Sequence, residues 1–291
     1  MSEAPATAAP ENVIAFQGVP GAYSDMACRA ARPQMTTLPC VSFEDTFAAV
    51  TSGRARYAMI PIENSSAGRV ADIHHLLPHS GLHIIGEHFQ KVEHQLLAPK
   101  SATRDQIKTV HSHVQALSQC REYTRREGLT PVIHADTAGA AKEVAELNDP
   151  TRAAVASALA AETYGLQVLD ANIQDIPHNT TRFIIMTDEP IDPPHDQGLV
   201  MTTFVFRVRS VPAALYKALG GFATNGVNIT KLESYIIDGS FTVAQFFADI
   251  EGHPEDRMVR LALEELSFFS REVKILGVYP ADAFRGTING D

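Results

Sequence analysis

The sequence predicts an α/β protein of two domains, and three observations support that prediction. Short apolar strands alternate with helical segments over residues 12–188, as in a mainly parallel sheet covered by helices. An acidic segment with three prolines follows at 189–198 and is typical of a linker. Residues 199–280 then follow the order β-α-β-β-α-β, which is the ferredoxin-like plan. The first domain is long enough for two small α/β lobes with a cleft between them.

Composition indicates an ordinary globular protein. Of the 291 residues, 45% are hydrophobic and 20% are charged. A net charge of −10 argues against nucleic acid or an anionic membrane surface as a partner. No apolar stretch approaches the ~18 residues that span a bilayer. Three widely spaced cysteines suit a reducing cytoplasm without disulfides or structural zinc. We therefore expect a cytoplasmic protein whose residues 1–10 form a frayed tail.

The first strand, Val13 to Phe16, leads through a glycine-containing turn into a helix at 25–31. Free N–H groups and the helix dipole converge at such a turn and can hold an anion. Gly21, Tyr23 and Ser24 are therefore candidate ligand residues, and Ser24 is also placed to cap the helix. A plain strand–helix turn is equally compatible with two glycines.

Polar residues also follow the strand at 57–62, which comes after a helix that opens at Ser42. The stretch Glu63-Asn64-Ser65 places a carboxylate, an amide and a hydroxyl at the carboxyl end of a strand, where open α/β sheets bind ligands. The alternative is a turn whose Asn and Ser side chains bond their own backbone.

A second polar stretch, Asn179-Thr180-Thr181-Arg182-Phe183, precedes the apolar run 184–186. Two hydroxyls and a guanidinium at the start of a rigid strand can be aimed at a ligand. The alternative is that the threonines are ordinary turn residues and that Arg182 is solvated.

Several helical signals lie between these stretches. A helix after the strand at 109–112 carries Gln115 and Gln119, four residues apart and so on one side, although a polar solvent face would look the same. A helix is also predicted over 101–107, and Asp136 is placed to cap an Ala-rich helix. The histidines at 74, 75, 79 and 83 are separated by Pro78 and Gly81, which break a helix, so we expect no metal site.

In the last domain we expect strands at 199–208, 227–237, 241–250 and 273–279, and helices at 212–224 and 254–268. Asn225-Gly226 is typical of a helix end, and Asp238-Gly239 of a tight hairpin turn.

Taken together, residues 12–280 resemble prephenate dehydratase with a C-terminal ACT regulatory domain. The first glycine turn is similar to the opening motif of that family. Residues 61–65 read Pro-Ile-Glu-Asn-Ser, and residues 181–183 read Thr-Arg-Phe, both as in the family. The helix with His113, Gln115, Gln119 and Cys120 resembles its central His/Gln/Cys helix. The resemblance implies a two-lobed catalytic core like that of bacterial solute-binding proteins.

The resemblance also implies a reaction. Prephenate would lose its ring carboxylate as CO2 and its hydroxyl as water to give phenylpyruvate, without metal or redox cofactor. Thr181 would act as the general acid, and Arg182 would hold a substrate carboxylate or brace the lobes. Glu63, Asn64 and Gln119 would complete the catalytic set, Glu63 by positioning. The implied substrate-binding residues are Gly21, Tyr23, Ser24, Ser65, Thr180 and Phe183.

For the second domain the resemblance implies phenylalanine as an allosteric effector, bound between the ACT domains of a homodimer or homotetramer. Residues 213–215, Ala-Ala-Leu, resemble the family's Gly-Ala-Leu motif, and Glu233-Ser234 matches half of its Glu-Ser-Arg-Pro motif. Tyr235-Ile236 departs from that motif. The implied effector residues are Ala213, Ala214, Leu215, Asn225, Asn228, Glu233 and Ser234.

Two other functions are compatible with the sequence. An arogenate dehydratase would run the same chemistry on an amino-acid substrate. A non-catalytic sensor would bind a small carboxylate in the cleft and use the ACT domain as a reporter.

Overall fold

The structure is a computed structural model that describes residues 9–70, 73–194, 198–209, 211–237 and 244–288. The chain divides into two units. Unit 1 comprises the chain up to Arg69 together with Phe89–Phe183, and unit 2 comprises Val70–His88 together with the chain from Ile184 onward.

The elements are numbered in chain order. The helices are α1 (Tyr23–Ala31), α2 (Phe43–Thr51), α3 (Ile73–Leu76), α4 (Val114–Gln119), α5 (Arg121–Arg126), α6 (Thr137–Leu147), α7 (Ala158–Tyr164), α8 (Ala214–Thr224), α9 (Arg257–Phe269) and α10 (Phe284–Ile288). The strands are β1 (Val13–Gln17), β2 (Thr36–Cys40), β3 (Tyr57–Asn64), β4 (Gly68–Arg69), β5 (His83–Lys91), β6 (Gln95–Ala98), β7 (Thr109–Ser112), β8 (Thr130–Ile133), β9 (Arg152–Ala156), β10 (Gln167–Asp170), β11 (Thr180–Thr187), β12 (Val200–Val208), β13 (Ile229–Ile236), β14 (Ala244–Glu251) and β15 (Ser270–Pro280).

The first lobe of unit 1 is built on a parallel arrangement. β1 pairs in parallel with β2 and β3, and the start of β11 lies next to β3. The apolar runs in β1 and β3 are fully buried, as expected for strands covered on both faces. Ser42 caps α2 by accepting a hydrogen bond from the Asp45 N–H, as the sequence predicts. The carboxyl end of β3 and the start of β11 therefore reach the same edge of this lobe.

The second lobe of unit 1 has its own sheet, in which five described strands follow the order β10-β6-β9-β7-β8. β7 is parallel to β8 and β9, whereas β6 is antiparallel to β9 and β10. A hydrophobic cluster lies on each face of this sheet, one with Tyr123 and Cys120 and the other with the Ala-rich helix α6. The Asp136 side chain caps α6, as predicted.

Unit 2 contains the β-α-β-β-α-β order predicted for residues 199–280. β12 lies between β14 and β15, both antiparallel to it, and β13 pairs with the other edge of β14. Helices α8 and α9 contact each other, and their residues form one core with the sheet face that carries Phe204 and Phe206. Asn225 ends α8 and Gly226 follows at φ 67°, as predicted. The proposed hairpin turn at Asp238-Gly239 lies outside the described residues.

Residues 282 and 285, after the last strand, contact β5 within unit 2. The buried Glu87 carboxylate of β5 accepts hydrogen bonds from Arg285 Nε and Nη2 at 2.6 and 2.9 Å. It also accepts one from the Asp282 N–H at 3.0 Å. β15 also meets β5 in parallel, with Gly277 opposite Ile84.

Two local predictions were wrong. α1 begins at Tyr23 with Ala22 as its N-cap, so Ser24 lies inside the helix and cannot cap it. Residues 101–107 form only one 3₁₀ turn at Arg104–Gln106, because reciprocal capping between Thr103 and Gln106 closes that turn and Ile107 is extended.

Across the part of the chain that the structure describes, no helix combines the length and apolar character needed to cross a membrane. The three cysteines are free and buried, and burial, with Asp175 nearby, raises the pKa of the Cys120 thiol to about 12. Within the same described ranges, no cluster of three His, Cys, Asp or Glu residues could hold a metal ion.

Candidate functional site

The polar stretches at the end of β3 and the start of β11 lie against each other in unit 1. Asn64 Nδ2 donates to Thr181 Oγ1 at 2.9 Å and to Asn179 Oδ1 at 2.7 Å. The Thr180 N–H donates to Ser65 Oγ, and the Ser65 N–H donates to the Thr180 carbonyl, each at 2.9 Å. The structure therefore joins two stretches that are more than a hundred residues apart in sequence.

The same network continues into the second lobe. Asn179 Nδ2 donates to Gln119 Oε1 at 3.1 Å, and that oxygen is 2.8 Å from His94 Nε2. His94 Nδ1 lies 2.9 Å from the Tyr23 hydroxyl of α1. Asn179 and His94 are almost fully buried, at 1% and 2% exposure. One chain of side chains thus runs from the first helix to the threonine at the mouth of β11.

The direction of each hydrogen bond in this chain can be deduced. Backbone N–H groups of Ser66 and Ala67 donate to Asn64 Oδ1, so its Nδ2 must face Thr181 and Asn179. The Asn64 side chain therefore does both things that the sequence offered as alternatives. Its oxygen bonds the backbone of its own turn, and its nitrogen bonds the site residues Thr181 and Asn179. Thr181 Oγ1 accepts a hydrogen bond, so its own hydrogen remains to be donated elsewhere.

The histidine tautomer follows from the same deduction. Asn179 Oδ1 accepts from Asn64, so its Nδ2 faces Gln119, whose Oε1 is an acceptor. His94 Nε2 must therefore carry a hydrogen, and Nδ1 faces the Tyr23 hydroxyl, which also donates to the Glu93 carbonyl at 2.9 Å. Burial lowers the pKa of His94, and the hydrogen bond to Gln119 opposes that shift to a lesser degree. His94 Nε2 thus acts as a fixed donor to Gln119.

Arg182 and Glu63 form an ion pair beside this network. Arg182 Nη1 is 2.9 Å from Glu63 Oε1, and the arginine side chain is only 4% exposed. The guanidinium is thus engaged with the carboxylate of the neighbouring strand end in the same lobe, so both roles considered for Arg182, holding a substrate carboxylate and bracing the lobes, stay predictions. The pair also offsets the negative charge of Glu63 near a site that would receive an anion.

The glycine turn before α1 serves a packing contact in unit 1. The Gly21 N–H donates to the fully buried Asp25 carboxylate at 2.9 Å, and Ser157 Oγ donates to the Gly21 carbonyl at 2.6 Å. Gly21 has φ 86°, and a Cβ there would lie 2.8 Å from Ala160 Cα. The N–H that the sequence offered to a ligand anion is therefore bound by the protein's own carboxylate.

The remaining candidates have different surroundings. Phe183 is 1% exposed and belongs to the interior, whereas Ser24 is half-buried in α1. Gln115 is exposed, while its predicted companion Gln119 joins the network. His113 is the N-cap of α4 and accepts from the Gln115 N–H at 3.3 Å.

Sequence reasoning missed His94 and Asp25. The available signal for His94 was a run of three polar residues, Glu93-His94-Gln95, before the apolar part of β6, and such runs are common at strand ends of every kind. Asn179 was noticed beside Thr180 but was not selected as a site residue.

The predicted effector residues lie on α8 and β13 of unit 2. Ala213 is the N-cap of α8 in the left-handed conformation at φ 58°, which costs a non-glycine residue energy and fits the glycine of the resembling motif. Asn225 Nδ2 donates to the Gly221 carbonyl at 2.8 Å, and Asn228 Nδ2 to Glu251 at 3.1 Å. Glu233 pairs with Lys231 at 3.2 Å. Both asparagine amides are thus engaged within the unit.

We expect stability to fall in weak acid because of His94. Its pKa in the folded chain lies below the value of 6.5 that it has when unfolded, so the unfolded chain binds the proton more readily. The free energy of unfolding should be largest above that value and decrease as pH falls from about 6.5 toward the folded pKa. Urea unfolding of the wild type and His94→Gln at about pH 7.5 and about pH 5.5 measures this loss.

The variant should lose less stability between the two pH values than the wild type. His111, whose pKa is also lowered by burial, is unchanged in both proteins and so serves as the common background. Equal losses in the two proteins would contradict the assignment to His94.

The family model for prephenate dehydratase matches residues 14–191. The chain is 56% identical to a Komagataeibacter europaeus protein named bifunctional N-acyl-homoserine lactone acylase/prephenate dehydratase, covering 94% of the chain and 98% of that protein. It is 38% identical to arogenate dehydratase/prephenate dehydratase 1 of Arabidopsis thaliana, covering 94% of the chain and 73% of that protein.

The fold is also similar to that of a solved prephenate dehydratase. The prephenate dehydratase of Arthrobacter aurescens, in complex with L-Phe, superimposes with a TM-score of 0.83 at 30% identity, covering 92% of the chain and 89% of that structure.

Proposed function

The chain belongs to the prephenate dehydratase family and is a carbon–oxygen lyase, and we propose that it converts prephenate to phenylpyruvate in phenylalanine biosynthesis. The observation that carries the substrate and site assignment is the Thr181 hydroxyl, which accepts from Asn64 and so retains a hydrogen to donate at the start of β11. We assign the catalytic domain to 12–188, the linker to 189–198 and the ACT domain to 199–280, and place the protein in the cytoplasm.

The proposed reaction needs little covalent help from the protein. The bond from the ring to its carboxylate breaks and releases CO2, its electron pair enters the ring, and the bond to the hydroxyl oxygen breaks as the ring becomes aromatic. Thr181 donates a hydrogen bond to the departing oxygen, which leaves with the electron pair of the broken bond as hydroxide and takes up a proton from solvent to become water. A hydroxyl is a weak acid, so positioning and electrostatic stabilisation supply much of the rate.

The remaining site residues position the reacting groups. Asn64 fixes the direction of the Thr181 hydroxyl, and Gln119 and Asn179 hold Asn64 through the buried network. The Arg182–Glu63 pair braces the two strand ends that carry these groups. Ser65 and Thr180, at the same strand ends, are assigned to substrate contact, as are Tyr23 and Ser24 by resemblance. Gly21 and Phe183, which the resemblance also implied, are held in packing contacts instead.

An ultraviolet assay of the product tests the proposal. Prephenate and arogenate are supplied side by side to the purified enzyme without added metal or cofactor, and we expect phenylpyruvate from prephenate at a higher kcat/KM than phenylalanine from arogenate. The arogenate alternative is supported by the name of the Arabidopsis relative, and a preference for arogenate would establish it instead. Binding of either compound without turnover would support the sensor alternative.

A second activity is named for the Komagataeibacter relative, which is 56% identical over nearly its whole length. Release of homoserine lactone from an N-acyl-homoserine lactone is therefore a second candidate function. Mass spectrometry of the released lactone tests it with the same preparation. No release above an enzyme-free blank would exclude that activity for this chain.

Phenylalanine should bind the second domain and weaken substrate binding. The proposal is supported by L-Phe in the Arthrobacter structure and by the helix start at Ala213, where backbone N–H groups can take a carboxylate. A coupling of ~1–3 kcal/mol corresponds to a change of roughly 5- to 150-fold in affinity. Calorimetric titration of phenylalanine with and without a substrate analogue measures that factor.

The control is thermodynamic reciprocity. The analogue must lower the affinity for phenylalanine by the same factor by which phenylalanine lowers the affinity for the analogue. No heat at millimolar phenylalanine, or equal affinities in the two titrations, would contradict regulation. An effector site between two ACT domains also requires a homo-oligomer, which sedimentation equilibrium of the same sample tests.

A further inference from the structure

A cavity of about 310 Å³ lies within unit 2, on the sheet face opposite α8 and α9. Three neighbouring strands form its floor with Arg207 of β12, Gln245 of β14 and Tyr235 of β13. The segment around α3 forms the other wall. Among the residues that the structure describes, the lining consists of His75, Pro78, His79, Arg207, Tyr235, Ile236, Ile237 and Gln245. Its volume is at the lower end of the range for small-molecule sites.

The floor is a row of hydrogen bonds that all run in one direction. Arg207 Nε donates to Gln245 Oε1 at 3.1 Å, which fixes the amide because arginine can only donate. Gln245 Nε2 then donates to the Tyr235 hydroxyl at 2.8 Å. Because that oxygen accepts, the Tyr235 hydrogen remains for another acceptor. Tyr235 and Gln245 are buried at 6% and 3% exposure, so these hydrogen bonds hold the floor of the cavity in one arrangement.

The other polar groups of the lining are donors or can become donors. Arg207 also pairs with Glu272 at 3.3 Å, but that carboxylate is half exposed, so the pair is weak and exchangeable. His75 and His79 are exposed imidazoles, and the His75 ring meets the Tyr235 ring edge-on at 5.1 Å. The Pro78 carbonyl already accepts Lys274 Nζ at 2.6 Å.

The described lining residues thus combine hydrogen-bond donors, among them the guanidinium of Arg207, with apolar side chains. Of the described residues that line the cavity, none carries a carboxylate that could hold an ammonium group. Ile236, Ile237 and Pro78 supply apolar contacts. We propose that this cavity binds a small organic carboxylate with an apolar body and no ammonium group, through Arg207 and Tyr235.

The proposed site differs in position from the predicted effector site. It faces away from α8, whose first turn contains Ala213 and Ala214. Both sites include residues of β13. Glu233 and Ser234 of the predicted effector site come directly before Tyr235, which stands where the resembling motif has an arginine.

Calorimetry with 3-phenylpropanoate on the full chain tests the proposal. We expect a Kd of about 0.1–1 mM, no binding of the neutral 3-phenylpropanamide, and a loss of about 10- to 100-fold in Arg207→Met, because a hydrogen bond from a charged donor is removed. Arg209→Met is the matched control: Arg209 follows β12, is exposed and does not line the cavity, so its variant should bind as the wild type does.

Three results would overturn the proposal. The first is no binding at a ligand concentration ten times the expected Kd, and the second is equal binding of the amide. The third is unchanged affinity in Arg207→Met, because the ligand would then bind elsewhere. If Arg207→Met fails to fold, His79→Ala at the exposed rim replaces it and should weaken binding severalfold; unchanged affinity again overturns the site. L-phenylalanine affinity should be insensitive to Arg207→Met, and a parallel loss would overturn the selectivity against ammonium.

Discussion

Replacing Thr181 by alanine should lower kcat for prephenate by ~10²–10⁴ and leave KM within a few-fold, as for loss of a general acid. The physical reason is the direction of the network: Asn64 donates to Thr181 Oγ1, so the hydroxyl hydrogen is held ready for the leaving oxygen. Alanine removes that hydrogen without adding bulk. Steady-state kinetics of phenylpyruvate formation measure both constants.

Two variants make this result specific. Thr181→Ser keeps the hydroxyl and should recover most of kcat. Thr163→Ala removes an exposed hydroxyl that bonds only the Leu159 carbonyl of its own helix, so it should leave kcat unchanged. If Thr181→Ala retains kcat within threefold, Thr181 is not the acid and the proposed mechanism fails.

The largest effect on stability should come from Gly277→Ala in β15. A Cβ at Gly277 would lie 2.1 Å from the Ile84 carbonyl oxygen and 2.6 Å from Ile84 Cβ of β5. The oxygen belongs to the backbone, so the strand itself must move to make room. We expect a loss of about 3 kcal/mol, at the upper end of the usual cost of overpacking. Urea unfolding of the purified variant measures it.

Gly220→Ala is the matched control in the same unit. Gly220 lies within α8, and a Cβ there would meet nothing within 4 Å. Alanine should therefore stabilise the helix by about 0.5–1 kcal/mol. If Gly277→Ala unfolds at the same urea concentration as the wild type, β5 and β15 are not packed as closely as described.

The order of elements was predictable because it depends on short-range patterns. Apolar strands, capping residues such as Asp136 and the Asn225-Gly226 helix end are all visible within a few residues. The resemblance to prephenate dehydratase was confirmed by the family model and the relatives. Polar residues at two strand ends also predicted that Asn64 and Thr181 belong to one site. In the structure the two side chains are hydrogen-bonded to each other.

The rest depended on contacts that form only in the folded chain. Asp25 occupies the Gly21 N–H and turns an expected anion site into a packing contact, which requires a buried carboxylate that no local pattern indicates. His94 is the clearest omission, because its role comes from Gln119, which lies 25 residues further along the chain. The ion pair between Arg182 and Glu63 joins residues 119 positions apart, so no pattern within a few residues indicates it.

The amide of Asn64 also makes the site sensitive to chemical ageing. Hydrolysis of an asparagine side chain gives aspartate, which has nearly the same shape but can no longer donate a hydrogen bond. Its carboxylate would still receive the N–H groups of Ser66 and Ala67, so the turn would persist. Thr181 would then donate to the new carboxylate, and the hydrogen meant for the leaving group would be lost. Hydrolysis of one amide would thus remove the proposed acid while the turn around residue 64 stays formed.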